Sequence, residues 1–271
     1  MPHAEVNGQR LYYEEHGSGE PLLLIMGLAA DQLSWALQIP VWSKHFRTIA
    51  FDNRDVGQSS YADGPYELAD MAADTLALAD ALDLDSFHLV GVSMGGAIAQ
   101  HVALAAPDRI RTLTLCVTWG GSGPWAAHMS RTWSTYARRQ SREERIDDLM
   151  LRCFSERFYE NAEQVEFVRN MKLQNPHFQD VDGFVRQLDA SSRHETRDRV
   201  GSLTMPVHVI GAEYDVLVPI WKSRELAELI PDARLTVLDG AAHGVQLEQA
   251  EQFNAAVLDF LVAHREAATP A

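Results

Sequence analysis

Short, nearly continuous apolar runs alternate along this chain with longer stretches in which apolar residues recur every three or four positions. Leu22–Met26 (LLLIM), Phe46–Phe51 (FRTIAF), Phe87–Val92 (FHLVGV), Ile110–Val117 (IRTLTLCV), Pro206–Ile210 (PVHVI) and Arg234–Leu238 (RLTVL) read as strands. Several are apolar at successive rather than alternate positions, the pattern of a parallel strand covered on both faces. Between them Leu68–Leu82, Met94–Ala105, Ile220–Ile230 and Leu247–Val262 carry the helical period. This alternation predicts an α/β chain with a mostly parallel, doubly wound sheet and helices on both faces. The opening VNGQRLYYEEHG, with Asn-Gly at its turn, reads as a β-hairpin leading into the sheet. The closing REAATPA is expected to be loose.

One segment breaks the alternation. Residues 119–204 hold thirteen Lys/Arg and thirteen Asp/Glu, so the net charge of −15 resides entirely in the rest of the chain. Twelve of those thirteen cations are arginine. From Arg138 to Met171 there is no Gly or Pro, and Ile146, Leu149, Met150, Cys153, Phe154, Phe158, Val165 and Val168 fall at helical intervals. The segment is expected to be an inserted set of amphipathic helices, its charges a solvated surface laced with ion pairs. Residues 1–118 and 205–271 would form the core around it. Trp119, Trp125 and Trp133 cluster where the insertion begins.

Composition narrows the function. With 271 residues and 46% apolar side chains, the chain can bury a large core without disulfides or structural metal. Its negative charge disfavours nucleic acid and anionic membrane surfaces, which are bound through Lys and Arg. Cys116 and Cys153 are isolated, and no C-x-x-C or H-E-x-x-H occurs, which argues against zinc, redox and disulfide roles. The apolar run from Pro21 to Ala30 is too short to span a bilayer, and MPHAEVNGQR lacks a signal-peptide pattern, so a cytoplasmic protein is expected.

The chemistry-bearing residues fall at strand ends. Gly91-Val92-Ser93-Met94-Gly95 matches G-x-S-x-G between a strand and a helix. Such a turn strains the serine backbone, admits only small residues two positions either side, and aims a helix N-terminus at any developing alkoxide. The alternative for Ser93 is a plain helix N-cap. Downstream, Gly211-Ala212-Glu213-Tyr214-Asp215 follows one strand and Asp239-Gly240-Ala241-Ala242-His243-Gly244 another. An acid and a histidine there can meet the serine across the carboxyl ends of the strands. Asp215, deepest in its turn, is favoured as the orienting acid, with Glu213 and Asp239 as rivals.

The order Ser93, Asp215, His243 and the strand contexts resemble the α/β-hydrolase superfamily over nearly the whole chain. The resemblance implies a Ser93–His243–Asp215 triad and an oxyanion hole made by the backbone N–H groups of Leu28 and Met94. It also implies a cap at 119–204 and no cofactor or metal. LLLIMGLAADQLSW carries Met26 where the family has the His of His-Gly, and FDNRDVGQSS carries Asp55 where the first Gly of D-x-R-G-x-G-x-S is usual. Asp52, Arg54, Gly57 and Ser59 are read as a structural turn. The details are similar to the aclacinomycin methylesterase, enol-lactone hydrolase and cofactor-free haloperoxidase or perhydrolase branches. Ser93 argues against the haloalkane dehalogenase and epoxide hydrolase branches, which use an Asp nucleophile, and GLAAD lacks the longer glycine-rich loop of C–C bond hydrolases. The implied activity is hydrolysis of small to medium apolar or aromatic esters or lactones through an acyl-enzyme. Trp125 and Trp133 are candidates to line the pocket or to pack the cap onto the sheet. The alternatives are perhydrolysis or C–C hydrolysis with the same triad, or a ligand-binding receptor without turnover.

Overall fold

A computed structural model describes residues 2–265. The expectation of a loose tail falls on residues 266–271, outside that range. Eight strands form one sheet in the order β1-β2-β4-β3-β5-β6-β7-β8. They are β1 (His3–Val6), β2 (Gln9–His16), β3 (Pro21–Ile25), β4 (Arg47–Phe51), β5 (Phe87–Val92), β6 (Ile110–Cys116), β7 (Val207–Ala212) and β8 (Arg234–Leu238). The hairpin β1–β2 turns at Asn7-Gly8, both at positive φ as its Asn-Gly signal requires, and joins β4 antiparallel; β3 to β8 run parallel.

The helices are α1 (Ile39–Trp42), α2 (Leu68–Ala81), α3 (Met94–Ala105), α4 (Gly123–Ala137), α5 (Arg142–Cys153), α6 (Glu156–Tyr159), α7 (Ala162–Leu173), α8 (Val181–Ser192), α9 (Ile220–Leu229), α10 (Val245–Glu248) and α11 (Ala250–Ala263). Successive strand residues serve opposite faces. Leu23, Ile25 and Leu89 pack with α2, α3 and α9, whereas Leu22, Leu24 and Val90 pack with Trp35, Trp42 and α11. This is why those strands are apolar at every position.

Leu247–Val262, expected as one helix, is two. At Gln249 the backbone leaves the helix (φ −125°, ψ 54°), its N–H closes α10 on Val245, and its Nε2 donates to the Asp239 carbonyl. The break falls where this side chain meets the Asp239 carbonyl, and the apolar periodicity carries no trace of it.

Residues 119–204 supply α4 to α8 and leave and rejoin the core at one point. Gly121 bridges Glu195, Thr196 N–H donates to Gly120 O (2.7 Å), and Ser122 N–H to His194 O (2.9 Å). They pack onto the core through two small clusters, one of Ile146, Met150 and Phe158 with Leu247 and one of Trp133, Phe184 and Leu188 against Leu28, Ala29 and Leu217. A buried ion pair ties α8 down. The Asp55 carboxylate accepts Arg186 Nε and Nη2 (2.9 and 2.7 Å), Tyr66 Oη (2.7 Å) and the Ala62 N–H (2.8 Å). Asp55 sits at φ +70°, where glycine is at ease and Asp is tolerated, and four hydrogen bonds satisfy its buried charge. The FDNR turn is structural, as expected. Asp52 accepts the Gln32 and Gln58 N–H groups (both 2.8 Å), and Arg54 pairs with Asp74. No helix among the described residues is long and apolar enough to cross a membrane.

Burial holds several imidazoles neutral. Desolvation pushes His194 down to about 3 and His101 and His208 to about 4, while burial pushes Asp52 up to about 7. Unfolded histidine titrates near 6.5, so as pH falls through that value the unfolded state gains protons that the fold refuses, and stability drops. Between pH 7.5 and 5.5 each of the three imidazoles costs about 1.4 kcal/mol, roughly 4 kcal/mol together. Asp52 works oppositely, protonated in the fold and ionised outside it, and offsets about 2 kcal/mol. The urea midpoint is therefore expected to be lower at pH 5.5 than at 7.5 by an amount equivalent to about 2 kcal/mol. An equal or higher midpoint at pH 5.5 would contradict dry, neutral imidazoles.

Candidate active site

The site begins with a turn that has no spare residue. β5 ends at Val92, α3 begins at Met94, and Ser93 between them takes φ 57°, ψ −120°. A Cβ on Gly95 would lie 2.1 Å from the Ile25 carbonyl oxygen, and one on Gly91 2.4 Å from that of Gly95. Only glycine at both positions lets α3 start against the ends of β3 and β5. The Ser93 N–H donates to Cys116 O (2.9 Å) and Thr118 Oγ1 donates to Ser93 O (2.7 Å), so β6 and the residues after it hold the strained residue.

β3 and β5 are neighbours at the point where the chain's winding reverses, where crevices open in sheets of this kind. Gly27, just past β3, lies so close that an added Cβ would sit 2.9 Å from Ser93 Cβ. The loop it begins is pinned on both sides of Leu28. Asn53 Nδ2 donates to Met26 O (3.0 Å), and the Ala29 N–H donates to Gln187 Oε1 of α8 (3.2 Å). Ala29 takes φ 59°, an uncommon value for a residue with a Cβ. The Met94 N–H opens α3 and has no intrahelical acceptor. Leu28 and Met94 thus belong to the two backbone segments that flank Ser93.

His243 follows β8. Its Nε2 lies 2.8 Å from Ser93 Oγ and its Nδ1 2.7 Å from Asp215 Oδ2. The other oxygen, Asp215 Oδ1, accepts the Leu217 and Val218 N–H groups (2.9 and 2.8 Å), which fixes the carboxylate. An ionised carboxylate only accepts, so the proton shared with Asp215 resides on Nδ1, and Nε2 is left to accept from the serine hydroxyl. The rival acids lie elsewhere. Glu213 accepts the Gly240 N–H, and both Glu213 and Asp239 border a separate surface depression.

Ser93 and His243 open into a cavity of about 130 Å³ with mostly apolar walls. Met26, where the family's histidine is usual, is part of its wall. The insertion closes it with Met129, Trp133, Leu149, Met150 and Leu188, and Trp119 borders it as well. Trp133 is both lining and packing, with its Nε1 on Asp148 Oδ2 (2.9 Å). Trp125, a second candidate for the lining, is 55% exposed on the first turn of α4 and borders only a small separate depression. It occupies the solvent side of an amphipathic helix whose buried side carries Ala126, Ser130 and Trp133.

Four residues at the site were not singled out from the sequence: Gln187, Gln246, Cys153 and Lys172. Gln187 also donates to Arg54 O (2.8 Å), so one buried amide joins α8 to two core loops, and no local pattern announces it. Cys153 lines the cavity, its thiol pushed up to about 12 by burial. Lys172 did leave a mark, as the single lysine among the thirteen cations of 119–204.

The profile of the alpha/beta hydrolase fold matches residues 20–250. The chain belongs to that family. It is 29% identical over 261 residues to a protein from Azorhizobium caulinodans that bears the name carbamate hydrolase RutD, covering 96% of this chain and 98% of that one. Among solved structures it resembles the enol-lactonase from Burkholderia xenovorans LB400 (29% identity, TM-score 0.87, 96% of this chain and 100% of the other). It also resembles a thermophilic esterase from Thermogutta terrifontis (26% identity, TM-score 0.88, 98% and 100%). Hydrolase activity is what the family and these relatives support.

The strain at Ser93 has a measurable consequence. Ser93→Gly and Ser93→Ala both remove the hydroxyl, but only glycine is at ease at this φ and ψ. Relief of about 1–3 kcal/mol, less about 0.5–1 kcal/mol for glycine's freer unfolded chain, should leave Ser93→Gly more stable than Ser93→Ala by roughly 1 kcal/mol. Equal urea midpoints, or a more stable alanine variant, would show that no strain is stored there.

Proposed function

We propose that this alpha/beta hydrolase is a serine hydrolase that cleaves small to medium carboxylic esters or lactones through an acyl-enzyme. The observation that carries the reading is the hydrogen-bonded chain Ser93–His243–Asp215 at the floor of an apolar cavity. In this reading His243 Nε2 takes the hydroxyl proton as Ser93 Oγ attacks the carbonyl carbon, and Asp215 stabilises the imidazolium. The oxyanion meets the N–H groups of Leu28 and Met94, preset by the turn and by the pinned loop; such a donor is typically worth about 10²–10³ in rate. Collapse expels the alkoxide, which leaves with the proton from His243, or stays tethered if the substrate was a lactone. Water, deprotonated by the same imidazole, then releases the acid and restores Ser93. No step calls for a cofactor.

Residues 119–204 act as a cap that shapes the pocket over this machinery, with Trp133 as a lining residue. Apolar walls select by shape, and a volume of about 130 Å³ favours short acyl groups over lipid chains. The names of the enol-lactonase and esterase neighbours are in keeping with this class, and a carbamate carbonyl presents the same electrophile.

Ser93→Ala should reduce hydrolysis of p-nitrophenyl butyrate to background while wild type shows a burst of p-nitrophenol equal to the enzyme present. Asp215→Asn should lower kcat by about 10⁴, with Asp239→Asn near wild type. Substantial turnover by the alanine variant would remove Ser93 from its role, and the opposite ranking of the two Asn variants would reassign the acid. Absence of turnover in wild type, with small esters still binding, would identify a receptor.

Across acyl chains from two to sixteen carbons, kcat/KM is expected to peak among the short ones. A steady rise to the longest would overturn the closed-pocket reading in favour of a lipase.

A further inference from the structure

The cavity wall is apolar apart from a few side chains, and one of them is a cation that is not part of the serine–histidine–aspartate chain. Lys172, in the last turn of α7, lines the cavity together with Leu149, Met150 and Cys153. Its backbone is fixed, because Arg142 Nη2 donates to the carbonyls of Lys172 (2.9 Å) and Leu173 (2.7 Å) and so caps the helix. Its ammonium makes no hydrogen bond and no ion pair within 4.0 Å among the described residues.

No carboxylate among the described residues pairs with it within 4.0 Å. Cys153 stays a neutral thiol because burial raises its pKa. Asp31, which borders an adjoining smaller cavity with Lys172, already accepts from Asn175 Nδ2. Several arginines of the same insertion hold a carboxylate, among them Arg138, Arg152, Arg169, Arg186 and Arg193, and Lys172 does not. A second polar side chain in the wall is also short of a partner. Gln246 is only 7% exposed, lines the cavity, and its Oε1 has no hydrogen-bond partner. A half-buried ammonium without a partner is costly in an apolar wall, and a ligand carboxylate removes that cost; the same carboxylate can accept from Gln246 Nε2, which makes no hydrogen bond among the described residues.

We infer that Lys172, with Gln246 beside the same cavity, forms a subsite for a carboxylate carried by the substrate away from its scissile carbonyl. The preferred ester or lactone is then a monoanion whose remaining body is apolar. This inference rests on the hydrolase reading of Ser93 and adds the chemical class of the substrate. It also agrees with a single cation rather than a cluster, which would suit one carboxylate and not a phosphate-rich ligand.

The test compares mono-p-nitrophenyl adipate with p-nitrophenyl hexanoate, which share acyl length and differ by the terminal carboxylate. A second pair, butyryl 4-hydroxybenzoate against phenyl butyrate, puts the carboxylate on the alcohol side. In wild type the ratio of kcat/KM for the anionic over the neutral member should exceed one in at least one pair. Lys172→Met should lower that ratio about ten- to hundredfold, chiefly through KM, as expected for loss of one charge-assisted hydrogen bond. Lys172→Arg should keep most of it, Lys172→Glu should reverse it, and Gln246→Leu should lower it severalfold. Ratios below one in both pairs, or a ratio indifferent to Lys172→Met and Lys172→Glu, would overturn the subsite while leaving ester hydrolysis by Ser93 standing. Failure of wild type to cleave any of the four esters would instead sink the hydrolase reading, and this inference with it.

Discussion

Everything at this site depends on how closely three backbones approach one another. The first turn of α3 lies on the carbonyl of Ile25 at the end of β3, and Gly91 lies on the first turn of α3, at distances no Cβ allows. That contact forces Ser93 into a conformation which holds its hydroxyl out of the sheet and within 2.8 Å of His243. It also sets the N–H of Met94 beside the loop that begins at Gly27. A parallel sheet with a winding reversal between β3 and β5 provides the geometry, and glycine provides the clearance.

The insertion is attached to this core by satisfied polar groups as much as by apolar area. Asp55, buried and at positive φ, is tolerable only because Arg186, Tyr66 and a backbone N–H converge on it. Gln187, the next residue after Arg186, bonds the loop of Ala29 and the carbonyl of Arg54. The same helix, α8, therefore seals the cavity with Leu188 and steadies the loop that carries Leu28. Pocket shape and the geometry of the loop that carries Leu28 are coupled through one buried helix face.

Lys172 and Gln246 stand out against that accounting. The buried charges of Asp55, Arg54 and Asp74 have partners, yet the Lys172 ammonium and the Gln246 amide border the cavity without one among the described residues. Unsatisfied polar groups are usually eliminated from apolar walls unless something else meets them.

The sequence by itself determined what depends on local spacing. Parallel strands betrayed themselves as continuous apolar runs because both faces are covered, and the Asn7-Gly8 turn because few residues accept its backbone angles. Ser93, Asp215 and His243 were legible because each sits in a glycine- or alanine-rich turn at a strand end, where compact backbone is needed for side chains to converge. Tertiary structure decided the rest. Whether Trp125 or Trp133 faced the cavity depended on the rotation of α4 against α8, which a tryptophan cluster does not encode. The break at Gln249 coincides with a side-chain hydrogen bond to Asp239, ten residues away in sequence and across a loop. Arg186 found Asp55 across 131 positions, and Gln187 found Ala29 across 158. Such pairings arise from the relative placement of two packed bodies, and the side chains that make them look, along the chain, like any other polar residue on a helix.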